Sequence, residues 1–99
     1  MAGESDEVEH ARLVQLGALL DLGELRLAHG QVANASLDAE RALALDPYSE
    51  RAHRLAIAAA LHGHDQQRAS VAVDRTMAML DEFGVEPEPA TRILLRQAG

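Results

Sequence analysis

Small residues recur at matching positions in the two halves of the chain, and this repeat restricts the fold more than any other feature. The first set is Leu22-Gly23, Gly30, Ala35, Ala42 and Asp46-Pro47. The second set follows roughly thirty-odd residues later and consists of Ala56, Gly63, Ala69 and Thr76. A repeat of this length in a chain rich in Ala and Leu is typical of stacked helical hairpins. Such stacks usually bind other macromolecules and rarely carry out chemistry themselves.

The composition agrees with a helical fold. The chain has 99 residues, of which 47% are hydrophobic, so it is long enough for one small domain with its own core. Tyr48 and Phe83 are its only aromatic residues. Leu, Ala, Val and Met must therefore form the core, which suits closely spaced helices better than a sheet. We predict an all-α stack of about five antiparallel helices.

Capping signals divide the chain into helices. We expect residues 1–5 to be disordered and residues 6–98 to form the domain. Asp6, with Glu9 completing a capping box, is predicted to start the first helix. Gly30 is predicted to end it as a C-cap glycine. Gly17 and Gly23 are unfavourable inside a helix, so we interpret both as points where another helix comes close.

Similar signals separate the later helices. The second helix contains Val32 to Leu45, and Pro47 is predicted to occupy the first position of the third helix. Asp65 is predicted to cap the fourth helix, which Gly84 ends. The residues expected inside the fourth helix are Ala69, Ala72, Val73, Met77, Leu80 and Phe83. Pro87 and Pro89 precede a final helix with Ala90, Ile93 and Leu94 on its inner side.

Charge and cysteine content exclude several classes of function. The net charge of −7 would be repelled by phosphates, so we expect no direct nucleic-acid binding by this segment. The chain has no cysteine, which rules out thiol chemistry and fits a reducing compartment such as the cytoplasm. No apolar run is long enough to span a membrane. We expect neither a cofactor nor a metal.

Catalysis and metal binding have weak support. His62, His64 and Asp65 are suitable ligand types for a metal, but a polar turn beside a helix cap explains them as well. Asp21 and Glu24 share a helix flank without the apolar surroundings that acid–base catalysis needs. We therefore predict that the chain is not an enzyme, and keep a small metal-binding or hydrolytic protein as a third hypothesis.

The repeat resembles the tetratricopeptide (TPR) pattern. Leu22-Gly23, Gly30, Ala35, Ala42 and Asp46-Pro47 fall on its spacing, in which small residues allow the two helices of a hairpin to approach closely. The chain departs from the pattern at Arg26 and Ala39, where a large aromatic residue is common. Thr76 occupies a position for a small residue, so the second repeat is degenerate.

Two longer segments resemble the bacterial transcriptional activator domain (BTAD). These segments are Asp46-Pro47-Tyr48-Ser49-Glu50-Arg51-Ala52 and Asp81-Glu82-Phe83-Gly84-Val85-Glu86-Pro87-Glu88-Pro89-Ala90-Thr91-Arg92. The domain is TPR-like and follows a winged-helix DNA-binding domain in the SARP family of actinobacterial activators. The resemblance covers nearly all of residues 10 to 97, and we expect these residues to lack the family's first helices and its DNA-binding domain.

The resemblance implies a binding surface and a function. In TPR-like stacks the first helix of each hairpin lines the concave side, which by repeat position places seven residues there: Leu20, Glu24, Leu27, Arg51, Arg54, Ala58 and Leu61. Arg51 and Arg54 would pair with an acidic partner helix or a terminal carboxylate, or else remain solvated beside Glu50. We expect an interaction module of a SARP-type regulator that mediates self-association or contacts another regulator domain or RNA polymerase. The alternative is a stand-alone TPR-like adaptor with no role in transcription.

Overall fold

The chain folds entirely into helices over the part that the structure describes. The computed structural model describes residues 2–99, and side chains from Ser5 onward. Its helices are α1 (Ala2–Ala28), α2 (Val32–Leu45), α3 (Glu50–His62), α4 (Gln66–Phe83) and α5 (Pro89–Ala98). No strand occurs in this range, so the predicted all-α stack of about five helices is confirmed. None of these helices is both long enough and apolar enough to cross a membrane.

Consecutive helices run antiparallel because tight turns join them. Gly30 has φ +78° and Gly84 has φ +60°, the left-handed conformation expected of glycines that end a helix. At the end of α1, Gln31 N donates to Arg26 O at 2.8 Å and Gly30 N donates to Leu27 O at 3.0 Å. This is the Schellman pattern of hydrogen bonds, which satisfies the last carbonyls of a helix.

The third helix lies at the centre of the molecule and contributes more buried hydrophobic residues than any other helix. It packs against each of the other four helices. Ile57 is fully buried within it, and Leu55 is 3% exposed. The small side chains of the buried alanines allow neighbouring helices to come close to α3 on several sides. These alanines are Ala52, Ala56, Ala59 and Ala60.

One of the two interior glycines of α1 marks a close contact between helices. A β-carbon at Gly23 would lie 2.5 Å from Leu55 Cδ2 and 3.1 Å from Asp38 Cβ. Neighbouring helices do come close at Gly23, through side-chain atoms rather than through their backbones. The prediction for Gly17 is wrong, because a β-carbon there would meet nothing within 4 Å.

Several predicted helix starts and inner positions need correction. Helix α1 begins at Ala2, so Asp6 lies inside the helix rather than at its cap. The expected disorder of residues 1–5 stays a prediction, with Met1 outside the described residues. Ser49 caps α3 through its side chain, so Pro47 lies in the preceding turn. Asp65 does cap α4, accepting from Arg68 N at 3.0 Å.

The inner faces of α4 and α5 also differ from the prediction. Met77 is 48% exposed and Phe83 is 51% exposed. Thr76 and Met79 are buried instead, which shifts the inner face of α4. In α5 Thr91 is fully buried and Ile93 is 53% exposed. Two threonines therefore lie on inner helix faces for which the apolar pattern named only hydrophobic residues.

Candidate partner-binding surface

A shallow cleft between α1 and α3 is the site at which most of the predicted groove residues meet. Its volume is about 320 Å³. Seven residues line it: Glu24, Leu27, Ala28, Arg54, Leu55, Ala58 and His62. Leucine and alanine form its floor, and charged or polar side chains surround it. This volume is close to the lower end for small-molecule pockets, so the cleft suits one or two side chains of a protein partner.

Arg51 fixes α3 to α1 beside this cleft. Its Nε donates to Glu24 Oε2 at 2.8 Å, and its Nη2 donates to Glu24 Oε1 and Asp21 Oδ1, both at 2.7 Å. The hydrogen bonds that Arg51 donates to Glu24 and then to Asp21 raise the pKa of its guanidinium. Such forked contacts hold a planar guanidinium in one orientation, so Arg51 holds together the two helices that form the cleft.

Arg54 and Glu50 connect α3 to α5. Arg54 Nη1 donates to Glu88 Oε1 and to Thr91 Oγ1, both at 3.1 Å. Glu50 Oε2 accepts from Thr91 Oγ1 and from Glu88 N, both at 2.6 Å. The side chain of Glu50 is only 15% exposed. Glu50 thereby satisfies a backbone donor at the start of α5, where helices leave N–H groups without internal partners.

The structure brings together four of the seven predicted groove residues. Glu24, Leu27, Arg54 and Ala58 line the cleft, and Arg51 borders it through Glu24. Leu20 is only 3% exposed and belongs to the core. Leu61 is half-buried against that core. Whether these residues bind a partner stays a prediction.

The comparison with protein-family models decides the family of the chain. The model described as "Bacterial transcriptional activator domain" matches residues 2–97. The chain belongs to the bacterial transcriptional activator domain family. No curated protein and no solved structure matches it. The family is a regulatory one, associated with transcription regulators and not known as catalytic.

The two segments that carry the resemblance to this family touch each other in the fold. Glu50 and Arg54 come from α3, which the first segment begins, and Glu88 and Thr91 come from the second segment. The turn at Gly84 in the second segment therefore leads into α5, which hydrogen bonds to Glu50 and Arg54 hold in place. In this bacterial transcriptional activator domain, these hydrogen bonds fix α5 beside α3, on the same side as the cleft residue Arg54.

Sequence reasoning missed several residues that position this surface. Glu50 appeared only as a neighbour of Arg51, and Thr91 only as part of a motif. Asp38 is fully buried and accepts from Arg26 Nη1 through both carboxylate oxygens at 2.9 Å. The signal for that pair was the arginine at a position where the TPR pattern commonly has an aromatic residue.

The histidines considered as metal ligands have structural positions. His62 lines the cleft, and His64 adopts φ +53° at the end of α3. His64 N donates to Leu61 O at 3.1 Å and Asp65 N donates to Ala60 O at 3.0 Å. His64 therefore takes the left-handed position that glycine usually holds. Among the described residues, no group of three or more His, Cys, Asp or Glu side chains is arranged to hold a metal ion.

Proposed function

We propose that this domain is a non-enzymatic interaction module of a bacterial transcription regulator of the SARP type from an actinobacterium. It works in the cytoplasm and mediates self-association or contact with another regulator domain or RNA polymerase. The observation that carries the proposal is the match to a transcriptional activator family across nearly the whole chain. The TPR-like order of its hairpins supports the same function, because such stacks bind proteins along one face.

The cleft between α1 and α3 is the proposed contact site for such a protein partner. Its apolar floor at Leu27 and Ala58 would accept an aliphatic side chain of an amphipathic helix. Glu24 and Arg54 beside it offer one negative and one positive group to the partner's flanking polar residues. Both are already held by neighbouring helices, so little side-chain freedom is lost on binding.

Direct contact with nucleic acid is not part of the proposed function. The net charge is −7, and all nine basic residues are arginines. Every arginine except Arg96 lies within 4.0 Å of a carboxylate oxygen of the same chain. These arginines stabilise contacts within and between helices, so the domain offers phosphates no basic surface.

A transcription reporter tests the proposal. The domain is fused to an unrelated DNA-binding domain, and transcription from a promoter carrying that domain's site is measured in an actinobacterial host. We expect activation by the wild type. Ala28→Arg and Ala58→Glu should reduce it to background, because each puts a long charged side chain into the cleft.

The control variant is Val71→Glu, which changes an α4 residue that is 58% exposed and lies outside the cleft. It should activate like the wild type, and circular dichroism should show that all three variants are folded. A wild-type fusion at background would contradict the role in transcription and favour the stand-alone adaptor. Full activation by both cleft variants would contradict the assignment of the site.

A further inference from the structure

The outer face of α1 carries an exposed apolar stripe, which we define as Ala11, Val14, Ala18, Leu22 and Leu25. Val14 is 58% exposed, Leu22 40% and Leu25 57%, and both alanines are exposed. At 3.6 residues per turn, the five positions lie within about 40° of Ala18 around the helix axis. The core residues Leu16 and Leu20 point to the opposite side, so α1 is apolar on two faces.

No other helix of residues 2–99 covers this stripe, since α1 packs only against α2 and α3. Every residue from Ser5 to Gln15 is exposed, so the N-terminal half of α1 has little tertiary support in the monomer beyond the turn at residues 45–48. Helical segments of this length are marginal in water without packing. A partner along the outer face would both bury the stripe and support the N-terminal half of the helix.

The spacing of the stripe is symmetric about Ala18. A two-fold axis through Ala18 would place Val14 opposite Leu22 of a second copy and Ala11 opposite Leu25, with the two Ala18 residues at the centre. Each pair joins a smaller residue to a larger one, and the central alanines allow the helices to approach closely. Two-fold interfaces need this kind of self-complementary patch.

The charges along α1 select the antiparallel arrangement. Its first turns carry Asp6, Glu7 and Glu9, whereas His29 follows its end and Arg26 there is already paired with Asp38. The same axis places Glu7 opposite His29, and both lie within about 20° of Ala18 around the helix. Antiparallel packing keeps the acidic first turns of the two copies apart and opposes the helix dipoles. Parallel packing would bring the acidic ends together.

From the symmetric stripe and the acidic first turns of α1, we infer that the partner of this face is a second copy of the chain, bound through antiparallel α1–α1 packing centred on Ala18. This inference rests on the self-association part of the proposed function and uses a surface opposite the core side of α1. The stripe spans about 21 Å of helix. A single pair of helices buries less than a standard interface, so the dimer is weak and concentration-dependent.

Sedimentation equilibrium tests the dimer in about 0.15 M salt, where repulsion between the negative copies is screened beyond about 8 Å. From about 10 µM to about 1 mM, the wild type should pass from monomer toward dimer. Ala18→Glu should raise the dissociation constant about tenfold or more, because it places two carboxylates at the centre of the interface. Val71→Glu adds the same charge on α4 and should leave the constant unchanged.

A wild type that stays monomeric throughout would overturn the inference, and so would an unchanged dissociation constant for Ala18→Glu. Such a result would leave the proposed function intact if the reporter remains active. A silent reporter with a confirmed dimer would contradict the role in transcription and leave the α1 interface standing.

Cysteine crosslinking tests the orientation, since the natural chain has no cysteine. With a short bis-maleimide, Ala18→Cys should crosslink to itself. Ala11→Cys and Leu25→Cys should crosslink when mixed, and neither should do so efficiently alone. Crosslinking of each single variant to itself would indicate parallel packing and overturn the arrangement. No crosslinking at any of the three positions in a dimeric sample would place the interface elsewhere.

Discussion

Two glycines in the same helix have opposite roles. A β-carbon added at Gly23 would lie so close to Leu55 and Asp38 that no side chain fits without movement, whereas one added at Gly17 would face open space. Only the first therefore permits the contact between α1 and its neighbours. Gly17 lowers the stability of α1 by about 1 kcal/mol relative to alanine, because glycine has a low helix propensity, and it allows no close contact in return.

The glycine pair gives a matched test of packing. Gly23→Leu should lower the free energy of unfolding by about 1–3 kcal/mol, because Leu55 and Asp38 must move apart. Gly17→Ala should raise it by up to about 1 kcal/mol through helix propensity. Urea denaturation of both variants measures the two changes. Equal stabilities for Gly23→Leu and the wild type would show that the helices do not approach there.

His64 stores backbone strain at a turn that glycine would relieve. A side chain in the left-handed conformation costs roughly 1–2 kcal/mol, and His64 has φ +53°. His64→Gly should therefore stabilise the domain by about 0.5–1 kcal/mol after the greater freedom of glycine in the unfolded chain is counted. The control is Gly30→Ala, which should destabilise because φ is +78° there. Thermal denaturation distinguishes them, and a lower melting temperature for His64→Gly would contradict the reasoning.

At the scale of helices, α3 and α4 are joined through a buried histidine. His53 is 2% exposed, and its Nε2 lies 2.8 Å from Pro47 O while its Nδ1 lies 3.2 Å from Thr76 Oγ1. Burial lowers the pKa of the His53 imidazole, and the nearby Arg75 guanidinium lowers it further, against the raising effects of the Pro47 carbonyl, Asp46 and Glu40. The folded state therefore favours neutral His53.

This pKa shift predicts how stability changes with pH. Below the ordinary imidazole pKa of about 6.5, the unfolded chain takes up a proton that the folded chain resists. Stability is then fully present above that pH and falls as the pH drops toward the lower folded pKa, by at most about 1.4 kcal/mol per pH unit. The lowered pKa of Glu40 acts in a separate window, because its contribution is lost only as the pH falls below 4.5.

Urea denaturation of the wild type and His53→Gln at pH 7 and pH 5 measures the effect. The wild type should lose stability at pH 5, and His53→Gln, which can still donate to Pro47 O, should lose less. If the variant does not fold, NMR titration of the wild-type His53 ring replaces it. A ring that titrates at or above the ordinary value would contradict the prediction.

The helices were predictable because their signals are local. Gly30, Asp65 and Gly84 each act within one turn of their own backbone, and the structure confirms all three. The inner faces were less predictable. In α4 and α5, Thr76 and Thr91 are buried because hydrogen bonds satisfy their hydroxyls, and no pattern of apolar residues shows which threonine has a partner.

The candidate site was predictable only in its outline. Repeat position placed Glu24, Leu27, Arg54 and Ala58 on one surface, and they do line one cleft. The contacts that fix that surface join distant positions, such as Arg51 with Asp21 and Arg54 with Thr91. Sequence spacing identifies neighbours on one helix, whereas these partners are set by how the helices pack.

At the scale of the whole molecule, arginines connect the helices in pairs. Arg26 binds Asp38 between α1 and α2, and Arg75 binds Glu40 between α4 and α2 through two hydrogen bonds of 2.9 and 3.0 Å. Arg51 connects α3 to α1. With alanine at many contacts, the core itself offers little side-chain volume to hold the helices in register. These forked contacts supply the missing specificity, which a flexible lysine would supply less well.

The last helix depends most on one such contact. Helix α5 packs only on α3 and α4, and Glu50 accepts from both Thr91 and the Glu88 backbone. Glu50→Ala leaves the Glu88 N–H and the buried Thr91 hydroxyl without their acceptor, which should lower the free energy of opening α5 by about 2 kcal/mol. Amide hydrogen exchange in residues 89–98 should then accelerate roughly thirtyfold, while protection in α2 and α3 changes little. Asp74→Ala, which removes an exposed acid of α4, should leave α5 protected. Equal acceleration in every helix would show instead that α5 unfolds only with the whole domain.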